Sequence, residues 1–271
     1  VKEEDGIRAV AFRQHVLPHF LEGPVRYLKL RLPAETKREV YEKVRSSQLY
    51  DSELSMYKVN EPLAKESYEL GRCRAFTPGW LENESIWLHM EYKYLLELLK
   101  SGLYQQYIGD LYKAAIPFQD EERYGRSILE NSSFLASSAN PDESIHGRGF
   151  VARLSGSTVE FMDMWQRMMF GHTPFREEDD KLVFALQPVI PSYLLDQERR
   201  VEAVFLGKVR IVYHVDAEDA DYIPENYEVV QYCLTGEKDK EIHIYQNQIM
   251  GEEAENIRAG KYTQIEVWIK K

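Results

Sequence analysis

The hydrophobic period of this chain changes once, near Gly171. Before that point apolar residues recur at spacings of three and four, and Ser157–Phe170 is the last clear example. After it, short β-branched and aromatic runs such as Val201–Phe205 alternate with turn residues. Because helices come first and strands second, the order predicts an α+β fold with segregated parts. We expect a helical region over residues 1–175 and a C-terminal antiparallel β domain over residues 176–271.

The helical region contains a predicted hairpin. Asn83–Leu99 carries apolar residues on one face and ends at the Ser101-Gly102 pair, and a second helix over Leu103–Ala115 follows at once. Residues 118–154 are rich in Ser, Asn, Gly and Asp, which indicates a long loop with one short central element. Long loops in compact domains are usually functional or disordered, and this one is aromatic enough to be ordered.

Charge and composition limit the partners. The 271 residues carry a formal charge of −11, so the basic surface that nucleic acid or an anionic membrane requires is not expected. No apolar run approaches the roughly 20 residues that span a bilayer. The default expectation is a cytoplasmic protein without a membrane or nucleic-acid partner. Cys73 and Cys233 lie far apart without metal-ligand spacing, which favours unpaired thiols and no metal, with one disulfide as the alternative.

The first polar cluster opens the Asn83 helix. Glu82 and Asn83 precede the periodic residues, and Asn83 has the side chain of an N-cap. His89 follows within the same helix. A capped, packed helix with a hydrogen-bonded core histidine accounts for these residues without a ligand. The functional alternative depends on a cavity that His89 shares with other polar groups.

The second polar cluster lies in the loop before the last helix of this region, and the third lies at the start of that helix. Ser157 and Glu160 fit an S-x-x-E capping box, which needs no ligand. The same helix is entered through Ser155 and Gly156, and unsatisfied N–H groups at such a helix start can bind an anion. Glu130 lies in the preceding loop, where a polar side chain is usually only solvated.

In order and spacing, these clusters resemble the inverting glycoside phosphorylases of the cellobiose and chitobiose phosphorylase family. That family has a Glu-Asn-Gly-Gly helix start followed by a histidine, a later Glu-containing segment, and a Ser/Thr-Gly-Ser/Thr turn that enters a helix. The corresponding segments here are Glu82–His89, Leu129–Ser132 and Leu154–Ser157. The runs Asn131–Phe134 and Ser137–Asp142 are most similar to the branch that acts on β-1,2-linked gluco-oligosaccharides.

The resemblance implies a fold and a site. It implies the C-terminal part of an (α/α)6 barrel followed by a β-sandwich-like domain. It also implies inverting phosphorolysis of a β-linked gluco-oligosaccharide to a sugar 1-phosphate, with inorganic phosphate as co-substrate and no metal or organic cofactor. The implied phosphate-binding residues are His89, Ser155, Gly156 and Ser157. The implied sugar-binding residues are Glu82, Asn83 and Glu130.

The chain departs from the family pattern in two respects. Glu84-Ser85 stands where the family has two glycines, and the Asp motif that supplies the family's general acid is not found in this sequence. We therefore expect part of a larger enzyme, inactive alone, whose upstream barrel helices come from the same gene or a partner chain. A homo-oligomer is a further expectation. An inverting glycoside hydrolase on the same barrel and a non-catalytic carbohydrate-binding fragment are the alternatives.

Overall fold

The computed structural model describes residues 2–3, 6–152, 156–217, 219–236 and 240–271. The α+β class is confirmed, because the long helices lie before Gly171 and the longest strands after it. None of the helices in these ranges is both long and apolar enough to cross a bilayer. Both Cys73 and Cys233 are free thiols.

Two of the predicted helices, those over Leu103–Ala115 and Ser157–Phe170, form within a residue or two of their expected bounds. The first helix of the predicted hairpin begins five residues later than expected, at Leu88. In the connection of the hairpin, Gly102 has a φ of 75°, which glycine adopts more easily than other residues. The helices are α1 Glu22–Leu28, α2 Ala34–Ser46, α3 Arg72–Ala75, α4 Leu88–Lys100, α5 Tyr104–Ala114, α6 Glu121–Tyr124, α7 Gly156–Phe170 and α8 Glu252–Arg258.

The segregation of helices and strands is incomplete, which corrects the expectation of one long loop over residues 118–154. Two strands form in that range, and they pair with a third strand just before α4 in an antiparallel sheet of order β5-β6-β7. Each strand has four residues or fewer, too short for a clear alternating pattern. The strands of the first part are β1 Lys2–Glu3, β2 Gly6–Ile7, β3 Tyr50–Asp51, β4 Met56–Tyr57, β5 Ile86–Trp87, β6 Ser132–Leu135 and β7 Gly149–Ala152.

The C-terminal strands form mainly antiparallel pairs, with one exception. The five-stranded sheet has the order β10-β11-β15-β12-β13, and β11 and β15 run parallel. The chain passes through α8 before its last strand inserts into the sheet, and this longer connection permits the parallel pairing. The strands are β8 Phe175–Glu178, β9 Lys181–Phe184, β10 Arg200–Phe205, β11 Val209–Val215, β12 Glu228–Thr235, β13 Glu241–Ile244, β14 Ile249–Met250 and β15 Gln264–Lys270.

The end of α7 joins the helical region to the C-terminal sheet. The Tyr213 hydroxyl on β11 donates to the carbonyl of Met169 at 2.5 Å. The rings of Phe170 and Phe205 lie 4.8 Å apart, and both side chains are buried. Buried residues from both regions therefore belong to one continuous hydrophobic core.

Helices α4 and α7 pack side by side and run in the same direction. Tyr92 near the start of α4 contacts Phe161 near the start of α7, with ring centroids 6.0 Å apart. At the other end, Glu97 of α4 and Arg167 of α7 line the same cavity. The pair therefore has one shared N-terminal end and one shared C-terminal end.

Tyrosines fill much of the interior. A phenol supplies a large apolar surface together with a hydroxyl that needs a hydrogen-bond partner when buried. Several of these hydroxyls tie elements together, as in the 2.6 Å bond from Tyr57 to the Asp110 carboxylate. The tyrosines that are less than 2% exposed include Tyr57, Tyr92, Tyr94, Tyr107, Tyr124, Tyr213, Tyr222 and Tyr232.

Candidate functional site

Glu82 and Asn83 lie in a tight turn and not at the start of a helix. The backbone groups of Trp80 and Asn83 exchange two hydrogen bonds of 3.1 Å. Helix α4 begins five residues later at Leu88, and its N-cap position is Trp87, which makes no side-chain cap. The prediction that Asn83 caps the helix is therefore wrong. The helix begins late because of a tertiary contact. Strand β5 pairs with β6 and keeps the backbone just before Leu88 extended.

The side chains of Glu82 and Asn83 have different surroundings. Glu82 is partly exposed and accepts a 2.5 Å hydrogen bond from the guanidinium of Arg72. Asn83 is 3% exposed, and its amide donates to the carbonyl of Phe76 at 2.7 Å. Its Oδ1 is buried without a hydrogen-bond partner among the residues that the structure describes. Asn83 thus fixes the turn, and Glu82 faces the solvent.

Glu84 occupies one of the two positions at which the resembled family carries glycine. Its φ is 57°, in the left-handed region that glycine adopts at least cost. The Glu84 carboxylate pairs with Lys58 at 3.1 Å, and both side chains are nearly buried. The Glu84 amide donates to Asn60 Oδ1 at 2.6 Å. These polar contacts hold a non-glycine residue in a conformation that it would otherwise avoid.

His89 is the second residue of α4, and its side chain is partly exposed. Burial lowers the pKa of His89, and the positive charge of Lys93 lowers it further. Glu160 and Glu22 oppose this shift, which means that both carboxylates lie within electrostatic range of the ring. At neutral pH the imidazole is accordingly neutral, with one N–H to donate and one nitrogen to accept.

The start of α7 only partly matches its prediction. The helix begins at Gly156, so Ser157 is its second residue, with its side chain buried. The capping box in which Ser157 acts as N-cap is therefore wrong, because Ser157 lies inside the helix. Ser155 lies outside the described residues. The first N–H groups of any α-helix lack intrahelical acceptors.

His89 and the first turns of α7 lie at the same end of the parallel helix pair. Glu160 is the fifth residue of α7, and it acts electrostatically on His89. Phe161, the next residue, contacts Tyr92 of α4. The geometry thus brings an imidazole near the N-terminal end of a second helix, where the helix dipole favours an anion and the Glu160 carboxylate opposes one.

Glu130 lies just before β6, whose partner strand β7 leads toward α7. Its carboxylate is half exposed and lies 3.5 Å from Arg126. Its carbonyl accepts a 2.6 Å hydrogen bond from the Tyr124 hydroxyl, which fixes the backbone. The following Asn131 lies 3.5 Å from the Tyr92 hydroxyl of α4. The Glu130 backbone is therefore anchored beside α4, while its carboxylate reaches the solvent.

Sequence reasoning missed two charged neighbours of His89. Lys93 lies one helical turn further along α4, a spacing visible in the sequence. Glu22 comes from α1, which packs against α4. No local pattern connects α1 with His89, because only the packing of the two helices brings them together.

A group of possible metal ligands lies on the C-terminal sheet. One ligand atom each from Cys233, Glu241 and His243 falls within 4.8 Å of the others. Cys233 and His243 face each other on β12 and β13, so the group depends on strand register and not on sequence spacing. Burial raises the pKa of the Cys233 thiol, which opposes the thiolate that a metal would require.

Comparison with known proteins finds no family model that matches this chain and no curated protein that it matches with significance.

Proposed function

We propose that this chain supplies the phosphate-binding site and part of the sugar-binding site of an inverting glycoside phosphorylase. The substrate is a β-linked gluco-oligosaccharide, and the product is a sugar 1-phosphate. The observation that carries the proposal is the juxtaposition of His89 with the N-terminal end of α7. An imidazole N–H and the amides at a helix start are donors from which a phosphate oxygen can accept hydrogen bonds.

Lys93 strengthens the phosphate assignment. It lies one helical turn after His89 on α4, and its positive charge lowers the pKa of that ring. A neutral His89 donates one directional hydrogen bond, and Lys93 supplies the charge that the neutral ring lacks. Glu22 and Glu160 lie nearby and oppose an anion, so the proposed site requires the donors of His89, Lys93 and the helix start to outweigh their repulsion.

The reaction follows from the inverting mechanism. Phosphate attacks the anomeric carbon from the face opposite the leaving sugar, while a carboxylic acid protonates the glycosidic oxygen. Phosphate takes the place of the water that an inverting hydrolase activates with a base, so one catalytic carboxylic acid is sufficient. We propose that His89 and the start of α7 hold the phosphate in line, and positioning of this kind contributes several kcal/mol to catalysis.

The carboxylates have distinct proposed roles. Glu82 and Glu130 reach the solvent, where they can accept hydrogen bonds from sugar hydroxyls. Asn83 contributes indirectly, because its buried amide fixes the turn that carries Glu82. The general acid is not among these residues. We propose that it comes from barrel helices that precede this segment or from a partner chain.

We further propose that the helical region is the C-terminal part of an (α/α)6 barrel. The α4–α5 hairpin and the packing of α1 against α4 support this assignment. An apolar cavity of about 570 Å³ beside α7 supports it as well. Met162 on its rim is 56% exposed and Val204 is 63% exposed. Large exposed apolar surfaces usually mark an interface, and further barrel helices or a second copy would cover this one.

Phosphate binding can be tested on the chain itself. We expect inorganic phosphate to shift the His89 ring resonances in a proton NMR titration, and a His89→Gln variant to bind phosphate at least tenfold more weakly. His15→Gln is the matched control, since His15 contacts only Glu66 at the surface among its described hydrogen bonds. Equal phosphate affinity in both variants would refute the proposed site.

The reaction class requires the protein together with the barrel helices that complete it. We expect release of a sugar 1-phosphate of inverted anomeric configuration from β-linked gluco-oligosaccharide, and only when phosphate is present. Release of free sugar at the same rate without phosphate would identify a hydrolase. Tight oligosaccharide binding with no product under either condition would identify a carbohydrate-binding module.

A further inference from the structure

A polar cavity of about 500 Å³ lies at the shared C-terminal end of α4 and α7. Four cationic side chains line it, and they come from four different segments. Lys29 follows α1, Lys37 lies in the first turn of α2, Lys100 ends α4, and Arg167 lies in the last turn of α7. Such a concentration of positive charge is unexpected in a chain whose formal charge is −11.

One buried carboxylate balances only part of this charge. Glu97 has a side-chain exposure of 5%, and it lies 3.1 Å from Lys100 and 3.9 Å from Lys29. Lys37 instead donates to the Ser101 hydroxyl at 3.2 Å. Among the described residues that line the cavity, Glu97 is the one acidic side chain against four cations.

Arg167 is held in place by its neighbours. Its Nε donates to Asp163 at 2.8 Å, and its Nη1 donates to His172 Nδ1 at 2.5 Å. With Nδ1 accepting, the ring proton of neutral His172 lies on Nε2. His172 is exposed at the edge of the cavity, and its Nε2–H adds a donor to the cations there.

Helix dipoles alone do not account for this arrangement. Lys100 and Arg167 occupy the last turns of their helices, where the dipole favours cations. Lys37 lies in the first turn of α2, where the dipole disfavours a cation. Its ammonium is nevertheless directed toward the same cavity, with a hydroxyl as its hydrogen-bond partner.

We propose that this cavity binds a small anion that carries two or more negative charges on phosphate groups. Lysine ammonium groups bind phosphate oxygens as point charges, and an arginine adds directional donors. The volume falls within the range of small-ligand pockets. Leu28, Leu99 and Val189 supply an apolar wall for the organic part of a phosphate ester.

This cavity is separate from the phosphate site proposed at His89. His89 and Lys100 are eleven residues apart on one helix, which corresponds to about 16 Å along its axis. This cavity, here called the polyanion cavity, thus lies at the far end of the same helix pair. Its assignment does not depend on the phosphorolysis proposal.

Pyrophosphate is a suitable probe, and isothermal titration calorimetry at low ionic strength measures its affinity. We expect the Lys37→Ala/Lys100→Ala variant to raise the Kd for pyrophosphate at least tenfold. The Lys43→Ala/Lys113→Ala variant removes the same charge from exposed positions outside the cavity and should leave the Kd within about twofold of the parent value. Absence of pyrophosphate binding by the parent protein, or equal weakening in both double variants, would overturn the proposal.

A second variant tests the cavity in the opposite direction. Glu97→Gln removes the one lining carboxylate and releases its two lysines, so we expect the Kd to fall roughly threefold to tenfold. Partial unfolding of the variant cannot produce tighter binding. Weaker binding in Glu97→Gln than in the parent protein contradicts the assignment. Loss of binding in His89→Gln with full binding in the lysine variant would assign the anion to the other end of the helices.

Discussion

His146 has both of its ring nitrogens next to hydrogen-bond acceptors. Nδ1 lies 2.9 Å from the Glu53 carboxylate, and Nε2 lies 2.8 Å from the carbonyl of Asn140. Both neighbours accept, so the ring satisfies them only when it carries two protons. Burial alone would lower the pKa of His146, but the hydrogen bonds to Asn140 and Glu53 outweigh burial and raise it.

Because the pKa of His146 is raised in the folded state, its contribution to stability decreases as the pH rises. The contribution of His146 is fully present below its ordinary pKa near 6.5 and is lost as the pH rises through the raised value. We expect His146→Gln to lower the free energy of unfolding by about 1 kcal/mol at pH 5.5. The difference should shrink as the pH approaches 8. Urea titrations across this range measure it, and a difference that grows with pH contradicts the protonated assignment.

Glu91 is a buried carboxyl group inside α4. Its Oε1 accepts from the Tyr57 amide at 2.8 Å, while its Oε2 is buried without a partner among the described residues. Burial raises the pKa of Glu91 well above its ordinary value, so the folded state holds its proton at pH values where the unfolded chain releases it. Stability from this group is present below pH 4.5 and falls as the pH rises.

Glu91→Gln removes this dependence. We expect the variant to match the parent protein near pH 4.5 and to exceed its free energy of unfolding by at least about 1 kcal/mol at pH 8. Thermal unfolding at the two pH values is the measurement. Glu91→Ala is the control, and it should destabilise the fold at both because it leaves a cavity. A constant difference between Gln variant and parent would show that Glu91 is ionised in the fold.

At the scale of elements, the turn before β5 is docked against the loop before His146. Gly79 has a φ of 73°, and a Cβ atom there would approach the Asn140 amide nitrogen to 2.5 Å. Gly109 in α5 has open space at the same position and is exposed. The same substitution, glycine to alanine, can therefore be compared at a crowded position and at an open one.

We expect the two substitutions to change the free energy of unfolding in opposite directions. Gly79→Ala should lower the free energy of unfolding by about 2–4 kcal/mol, because backbone must move to relieve the contact. Gly109→Ala should raise it by about 0.5–1 kcal/mol through helix propensity. Chemical denaturation measures both values. A neutral Gly79→Ala variant would mean that the turn does not contact Asn140.

Local periodicity predicted the elements that are long enough to display it. The helical periods of α5 and α7 extend over 11 and 15 residues, and both helices form close to their expected bounds. The start of α4 was misplaced, since β5 has only two residues and exists through its pairing with β6. Asn83 has the right chemistry for a cap, but tertiary contacts assign its amide to Phe76.

The candidate site could likewise be predicted only in part from the sequence. His89 and its distance from Lys93 are visible in the sequence, while the approach of Glu22 and Glu160 depends on helix packing. The polyanion cavity gave no sequence signal, because its lysines come from separate segments that are each ordinary. A single sequence shows the chemistry of each residue, but it does not show which distant residues come together in the fold.

At the scale of the whole molecule, the continuous core bears on the boundary predicted between residues 175 and 176. Tyr213, Phe170 and Phe205 join the two regions. We expect both regions to unfold in one cooperative transition, since neither can separate without exposing this shared surface.

Tryptophan positions allow a direct comparison. Trp268 lies in the C-terminal sheet, and Trp80, Trp87 and Trp165 lie in the helical region. A Trp268→Phe variant reports on the helical region alone, and a variant with the other three replaced by Phe reports on the sheet alone. Each fluorescence midpoint in urea should coincide with that of circular dichroism for the same variant. Separate midpoints would instead support two independently folding domains.

The interior tyrosines make the fold sensitive to strong base. Burial raises the pKa of Tyr94, Tyr107 and Tyr213 well above the usual value near 10, so none of these phenols can ionise until its surroundings open. An alkaline titration followed by tyrosinate absorbance tests this sensitivity. The interior phenols should ionise in one steep, cooperative step that coincides with loss of ellipticity. Ionisation of the core phenols and alkaline loss of the fold would thus be a single event.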